Sequence, residues 1–245
     1  MSPRTPSYGS DLAAIHDAGF GDTARGAART LASILARKDV PRGLVVDLGC
    51  GSGILAAEIS RAGHDVLGID LSASMIRIAR ARAPNARFRV GSFRDAPIPL
   101  CAAVVACGEI FSYVFDGSVD LERLFRRVAR ALVPGGVFLF DVAAPGRVPG
   151  TGPLRLHREG DGWAILVTLS TDARRRLLTR EMTSFRRVGA AYRRSTETHR
   201  QRLFRPREVE AALRRAGFAA RALEGYASRP FSPGQIGWLA RKARA

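Results

Sequence analysis

Lysine is almost missing from this chain. Of 39 basic side chains in 245 residues, only Lys38 and Lys242 are lysines and the other 37 are arginines. Beside abundant alanine, that skew reads as the coding bias of a GC-rich genome rather than selection for phosphate contacts. Cysteine is scarce as well. Cys50, Cys101 and Cys107 are odd in number and lack metal-ligand spacing, which argues against a disulfide framework and for a reducing cytoplasm. No apolar run approaches the roughly 20 residues of a membrane-spanning helix, and the opening MSPRTPSYGS has no apolar signal region, so no membrane partner is expected. No Asp/Glu/His cluster argues for a metal, and Asp141 alone does not make a magnesium site.

What is present is a core and a lopsided charge. At 46% hydrophobic residues the chain can bury a substantial interior. Its net charge is +17, yet residues 1–122 carry 13 basic and 13 acidic side chains, so the entire surplus lies in residues 123–245. Such a charge invites a nucleic-acid partner. A solvated arginine-rich surface is the preferred reading, and an anionic small substrate would also suit the basic half.

Strand and helix patterns alternate through the first part. Residues 1–22 read as irregular, and a helix is predicted from about Thr23 to before Pro41. Strands are predicted at Leu44–Leu48, Val66–Asp70, Ala86–Val90, Ala102–Cys107 and Val137–Asp141. Helices are predicted at Ile54–Ala62, after a Ser72 cap, and at Val119–Leu132, with Pro134-Gly135-Gly136 as a turn. This order implies right-handed crossovers and a parallel sheet. A Gly/Pro-rich connection over residues 143–153 then leads into three or four antiparallel strands over residues 154–204. A helix at Pro206–Ala216 and a final strand at Gln235–Arg241 follow. The expected organisation is an N-terminal helical or lid segment (1–39), a Rossmann-like doubly wound, mostly parallel α/β core (40–142), an antiparallel β cap (143–205), and a C-terminal helix and strand completing the core (206–245).

The stretch VVDLGCGSG, residues 45–53, carries the chemistry. After a central strand the chain must turn sharply into a helix. Gly49, Gly51 and Gly53 permit positive φ and remove side chains from the crevice, so a ligand can approach backbone amides. Asp47 beside those amides would repel a pyrophosphate but could orient an ammonium group. Asp70, ending the next strand, can accept two hydrogen bonds from ribose hydroxyls. A nicotinamide dinucleotide stays open on the glycines alone, since Gly51, Gly53 and Ala56 satisfy G-x-G-x-x-A; Asp47 and the turn to antiparallel elements count against it.

VVDLGCGSG, GIDLSASMIRIAR and LVPGGVFLFD together resemble the class I S-adenosylmethionine-dependent methyltransferases over roughly residues 40–142. The family pattern acid-x-Gly-x-Gly-x-Gly is met by Asp47, Gly49, Gly51 and Gly53. The resemblance implies S-adenosylmethionine as cofactor, with its methionine part on the loop that includes Cys50. Asp70 would hold the ribose, and Leu71 and Met75 would flank the adenine. Ser92 stands where the family often has an acidic residue on the adenine amino group, so Phe93 packing and backbone groups, or Asp95, would serve instead.

Gly108 would allow close approach near the sulfonium, while Glu109 and Tyr113 could face the acceptor; core packing is the plain alternative for Tyr113 and Phe111. Glu197 and His199 share one strand face, so His199 is a candidate general base, against the simpler reading of an exposed histidine. Tyr8 is assigned a cofactor contact and His16 a substrate or lid contact, against a helix anchored by Phe20.

The expected activity is methyl transfer to N or O of a small-molecule acceptor by direct in-line displacement. An RNA or protein methyltransferase using the basic half and a non-catalytic cofactor-binding scaffold are the alternatives. Edges of the antiparallel insert leave a homodimer open.

Overall fold

The computed structural model describes residues 8–113, 120–150 and 152–243. Val119, where the pattern started a helix, lies outside them. Two helices come first, α1 (Ser10–Gly19) and α2 (Asp22–Leu35). Then β1 (Val45–Leu48), α3 (Ile54–Arg61), β2 (Val66–Asp70), α4 (Ala73–Arg82), β3 (Arg87–Val90), β4 (Cys101–Ala106), α5 (Leu121–Ala131) and β5 (Leu132–Ala143) alternate. Side chains along the inner strands divide cleanly between the two faces. Ala103 and Val105 join Val45, Leu139, Leu31 and Leu55 on one side. Val104 and Ala106 join Leu48, Phe125, Phe138 and Phe140 on the other. A strand buried on both faces needs apolar residues at every step, which is why β4 reads CAAVVA.

β1 pairs in parallel with both β2 and β4, β2 with β3, and β4 with β5. The chain therefore runs outward from β1 to β3 on one side and returns to β4 on the other. That reversal opens a crevice at the carboxyl ends of β1 and β4, where ligands of doubly wound sheets bind.

After β5 comes an antiparallel four-stranded sheet: β6 (Leu154–Gly160), β7 (Trp163–Asp172), β8 (Leu177–Val188) and β9 (Ala191–Arg202). The chain rejoins the main sheet through α6 (Pro206–Arg215), β10 (Phe218–Leu223) and β13 (Gln235–Lys242), with the short pair β11 (Gly225–Tyr226) and β12 (Arg229–Pro230) between. The seven-stranded order is β10-β13-β5-β4-β1-β2-β3, with β13 antiparallel to β5 and β10 antiparallel to β13. The fold is thus a Rossmann-like, doubly wound, mostly parallel α/β sheet carrying an antiparallel insertion.

Three local expectations need correction. Residues 10–19 are helical: Leu12 and Ile15 are buried against Ile165 of β7, a face too short to show as periodicity. Pro134-Gly135-Gly136 lies inside β5, because pairing resumes on both sides and the surplus residues become a register shift between Cys101 and Ala103. β10 was not anticipated; FAARAL has no alternation of polarity, and its strand conformation comes from pairing at the sheet edge. Among the described residues, no helix is long and apolar enough to cross a membrane.

Candidate functional site

The crevice at β1 begins with a turn that its glycines build in different ways. The N–H groups of Gly49 and Cys50 both donate to the Ile69 carbonyl, at 2.7 and 3.1 Å, curling the chain back over β2. Gly49, Gly51 and Gly53 all have positive φ, at 71°, 52° and 75°. A Cβ on Gly49 would meet Ile110 at 2.7 Å, and one on Gly53 would meet the Ala79 Cβ at 2.9 Å. Those two glycines serve close packing within the protein. Only at Gly51 would a Cβ enter open space, so this is the glycine that leaves room for a ligand.

Asp70 closes the loop from below. One of its oxygens accepts from the Gly51 N–H and the other from the Ser72 N–H, both at 2.8 Å. Burial pushes its pKa up, and these backbone donors pull it back down. Ser72 caps α4 by accepting from the Met75 N–H at 3.2 Å.

Asp47 is different. It is 1% exposed, and neither carboxylate oxygen has a hydrogen-bond partner. Burial, with Asp70 adding to it, raises its pKa to about 8. An unpartnered buried carboxylate is costly unless a positive or donating group meets it.

Opposite, at the end of β4, Gly108 and Glu109 turn back over the sheet, Glu109 with φ of 61°. Asp141 of β5 holds this turn by accepting from both N–H groups at 2.9 Å. It also accepts from the Tyr226 hydroxyl at 2.9 Å and the Gln235 amide at 2.7 Å. Burial still lifts the Asp141 pKa to about 6. Glu109 accepts from Arg180 of β8 at 2.6 Å and from Gln201 of β9 at 3.3 Å, and faces Arg147 at 3.2 Å.

The N-terminal segment closes the top. Glu197 of β9 accepts from the N–H groups of Tyr8 and Gly9, each at 2.9 Å, while the Ser72 hydroxyl donates to the Tyr8 carbonyl at 2.7 Å. Tyr8 is thereby fixed between cap and core in a left-handed conformation, φ 54°. Its hydroxyl lies 3.0 Å from that of Tyr113.

These elements line a partly open cavity of about 310 Å³. Of the residues singled out from the sequence, Tyr8, Asp47, Gly49, Cys50, Gly51 and Asp70 line it. So do Met75, Gly108, Glu109, His16 and Tyr113. The His16 ring packs edge-on against Tyr8 at 5.3 Å, and burial lowers its pKa to about 4, keeping it neutral at pH 7.

Gly53, Leu71, Ser92, Phe93, Asp95, Phe111, Glu197 and His199 are not among the lining residues. Gly53 packs on α4, Leu71 is 47% exposed, and Ser92 caps a turn by accepting from the Arg94 N–H. Phe93 packs against Phe111 in the core, and Arg127 of α5 ties down that loop by donating to the Phe93 and Ala96 carbonyls. His199 is neither exposed nor in the cavity wall: it lies behind Tyr8 and Tyr113, bonded to Glu197 at 2.9 Å. Arg147, Arg180 and Gln235, which also line the cavity, were not picked out from the sequence. Arginines are so frequent in this half that none stands out.

The residues present fit an adenosyl sulfonium compound. The orphaned Asp47 matches a cationic amino-acid tail and disfavours a pyrophosphate, Gly51 leaves the loop open, and Asp70 has acceptors at the end of β2 for ribose hydroxyls.

Comparison with known proteins agrees. Residues 45–136 match the family described as "Methyltransferase domain". A Bacillus subtilis (strain 168) protein described as "Putative methyltransferase YqeM" is 30% identical over 183 residues, covering 72% of this chain and 74% of that protein. The dTDP-3-amino-3,6-dideoxy-alpha-D-glucopyranose N,N-dimethyltransferase of Streptomyces fradiae is 28% identical over 139 residues, 55% of this chain and 54% of that protein. In fold, an S-adenosylmethionine-dependent methyltransferase from Clostridium acetobutylicum superposes with a TM-score of 0.81 at 20% identity, covering 95% of this chain and 98% of that one. With its glycine loop, its two strand-end carboxylates and a relative matched across most of both lengths, the chain belongs to the class I S-adenosylmethionine-dependent methyltransferases.

Proposed function

We propose that this enzyme methylates a nitrogen or oxygen of a small-molecule acceptor inside the covered cavity. The observation that carries the proposal is cover: α1, the Tyr8 segment and the inner face of the cap contribute Leu12, Tyr8 and Ile165 to the wall of a partly open cavity of about 310 Å³. A flexible RNA strand or a protein side chain would need a fully open approach. The arginine surplus supports the same reading. Arg186 and Arg193 are tied to Asp11, so these two cap arginines serve the protein's own ion pairs.

When bound, S-adenosylmethionine supplies a methyl group activated on a sulfonium and open to direct in-line displacement, so the demanding chemistry belongs to the cofactor. The protein's tasks are to hold, orient and exclude water. Asp47, Gly51 and Asp70 would hold the cofactor. Neutral His16 adds no positive charge beside a cation and offers a ring nitrogen to the acceptor's proton. Tyr8 and Tyr113 place two hydroxyls at the acceptor side, both kept protonated by burial. His199 supports Tyr8 through Glu197, a positioning role.

The test is transfer of a labelled methyl group from S-adenosylmethionine to a panel of amino sugars, amines and phenols, run beside bulk RNA and protein. Labelling confined to a small acceptor supports the reading. Labelling of RNA or protein, falling steeply as salt rises for RNA, would replace it.

A further inference from the structure

The cavity wall brings together acidic groups from the ends of β1 and β2 and basic groups from the cap side. Asp47 and Asp70 are the acidic groups, whereas Arg147 and Arg180 are the basic ones, with a single carboxylate, Glu109, between them. One carboxylate cannot neutralise two guanidiniums. Glu109 is 3% exposed, and its facing arginine side chains are only 16% and 22% exposed, so the surplus positive charge is poorly hydrated. A buried Arg–Glu–Arg triad is no route to stability, since apolar residues of similar volume commonly serve better.

Neither arginine is saturated. Arg180 donates from Nε to Gln201 at 2.7 Å and through one terminal nitrogen to Glu109. Arg147 donates to the Pro233 carbonyl at 3.3 Å and faces Glu109, while its buried Nε has no partner. A guanidinium has five N–H donors in a planar fork, matched to a carboxylate or phosphate. Arg147 is also held in place: Gly234 lies so close that a Cβ there would come within 2.3 Å of the Arg147 backbone nitrogen. The 146–148 turn and the 232–235 turn are thus packed as one unit.

We infer that the methyl acceptor carries an oxyanion, a carboxylate or a phosphate, and that Arg147 and Arg180 anchor it on the cap side of the cavity. The anion supplies the missing negative charge and fixes which atom of the acceptor faces the cofactor. This inference rests on the methyltransferase reading of the same cavity.

The experiment uses the full chain loaded with S-adenosylhomocysteine, whose own binding reports the cofactor site separately. Benzoate, phenyl phosphate and uncharged benzamide are titrated in by ligand-observed NMR, with the wild type and with Arg147→Gln, which leaves the Arg180–Glu109 pair intact. Arg147→Lys keeps the charge but loses the fork. The expected result is that at least one anion binds tenfold or more tightly than benzamide. Arg147→Gln should remove that preference and Arg147→Lys restore it in part, with S-adenosylhomocysteine affinity unchanged. Preference for benzoate or for phenyl phosphate tells carboxylate from phosphate. Equal binding of benzamide, no binding of either anion, or a preference that survives Arg147→Gln would overturn the inference. So would a tenfold loss of S-adenosylhomocysteine affinity in Arg147→Gln, which would assign the arginines to the cofactor's carboxylate.

Discussion

Asp47 and Glu109 lie at the carboxyl ends of neighbouring strands, 1% and 3% exposed, and line one cavity, yet their surroundings are opposite. Glu109 is surrounded by the cap: Arg180, Arg147 and Gln201 all face it. Asp47 meets nothing. The difference follows from which part of the fold supplies the neighbours. Around β1 the neighbours are glycines, apolar strands and the Cys50 and Cys107 thiols, and none of them donates to Asp47. Around β4 they come from the inserted sheet, rich in arginine. One carboxylate has side-chain partners within the protein; the other has none.

The largest effect expected from that contrast is on stability. Glu109→Gln removes the only carboxylate between two poorly exposed guanidiniums and should cost about 3 kcal/mol, as breaking a buried pair from one side does. Urea denaturation checks it, and a loss below about 1 kcal/mol would show that the cap does not depend on the pair.

Asp70→Ala comes next. It removes the acceptor for the Gly51 and Ser72 N–H groups as well as the proposed ribose contact, and hydrogen bonds to a charged group contribute about 1.5–3 kcal/mol. Cofactor affinity should fall at least tenfold in calorimetry.

Asp47→Asn should act in the opposite sense on the free protein. The Asp47 pKa is raised from 3.8 to about 8, so its contribution to stability is fully present below pH 4 and is lost as pH rises toward 8. The melting temperature of Asp47→Asn relative to wild type should therefore climb between pH 5 and pH 8. A flat difference would mean that water already satisfies the carboxylate.

The smallest effect belongs to His199→Ala. Glu197 would keep its two backbone donors, so the expectation is faster amide exchange at Tyr8 and Gly9 with little loss of stability. A hundredfold fall in turnover with exchange unchanged would instead return His199 to acid–base chemistry.

The same contrast explains what could be read in the chain. The glycine loop, the Ser72 cap and strands such as Val66–Asp70 are local, and their signals sit within a few residues of one another. α1 showed in the sequence only as the alternative to an irregular segment, and β10 not at all, because cap packing and edge pairing make them, not their own patterns. At the site, Asp47 and Asp70 were visible from their spacing to the glycines. The partners of Glu109 were not: Arg180 is 71 positions away and Gln201 is 92. Asp141 looked like an ordinary strand end, and its hold on the Gly108–Glu109 turn and on Tyr226, 85 positions on, exists only in three dimensions. The glycines also divide by role in a way that spacing does not show, since Gly49 and Gly53 face protein and Gly51 faces space.

The central claim is that Asp47 is completed by the positive charge of an adenosyl sulfonium compound. Calorimetry of S-adenosylmethionine binding at pH 6 and at pH 8.5, repeated in buffers of different ionisation enthalpy and with Asp47→Asn, addresses it directly. The expected result is binding to wild type with release of a proton at pH 6, tighter binding at pH 8.5, and loss of both effects in Asp47→Asn. Absence of binding, or binding that takes up no charge change at either pH and is indifferent to Asp47→Asn, would contradict it.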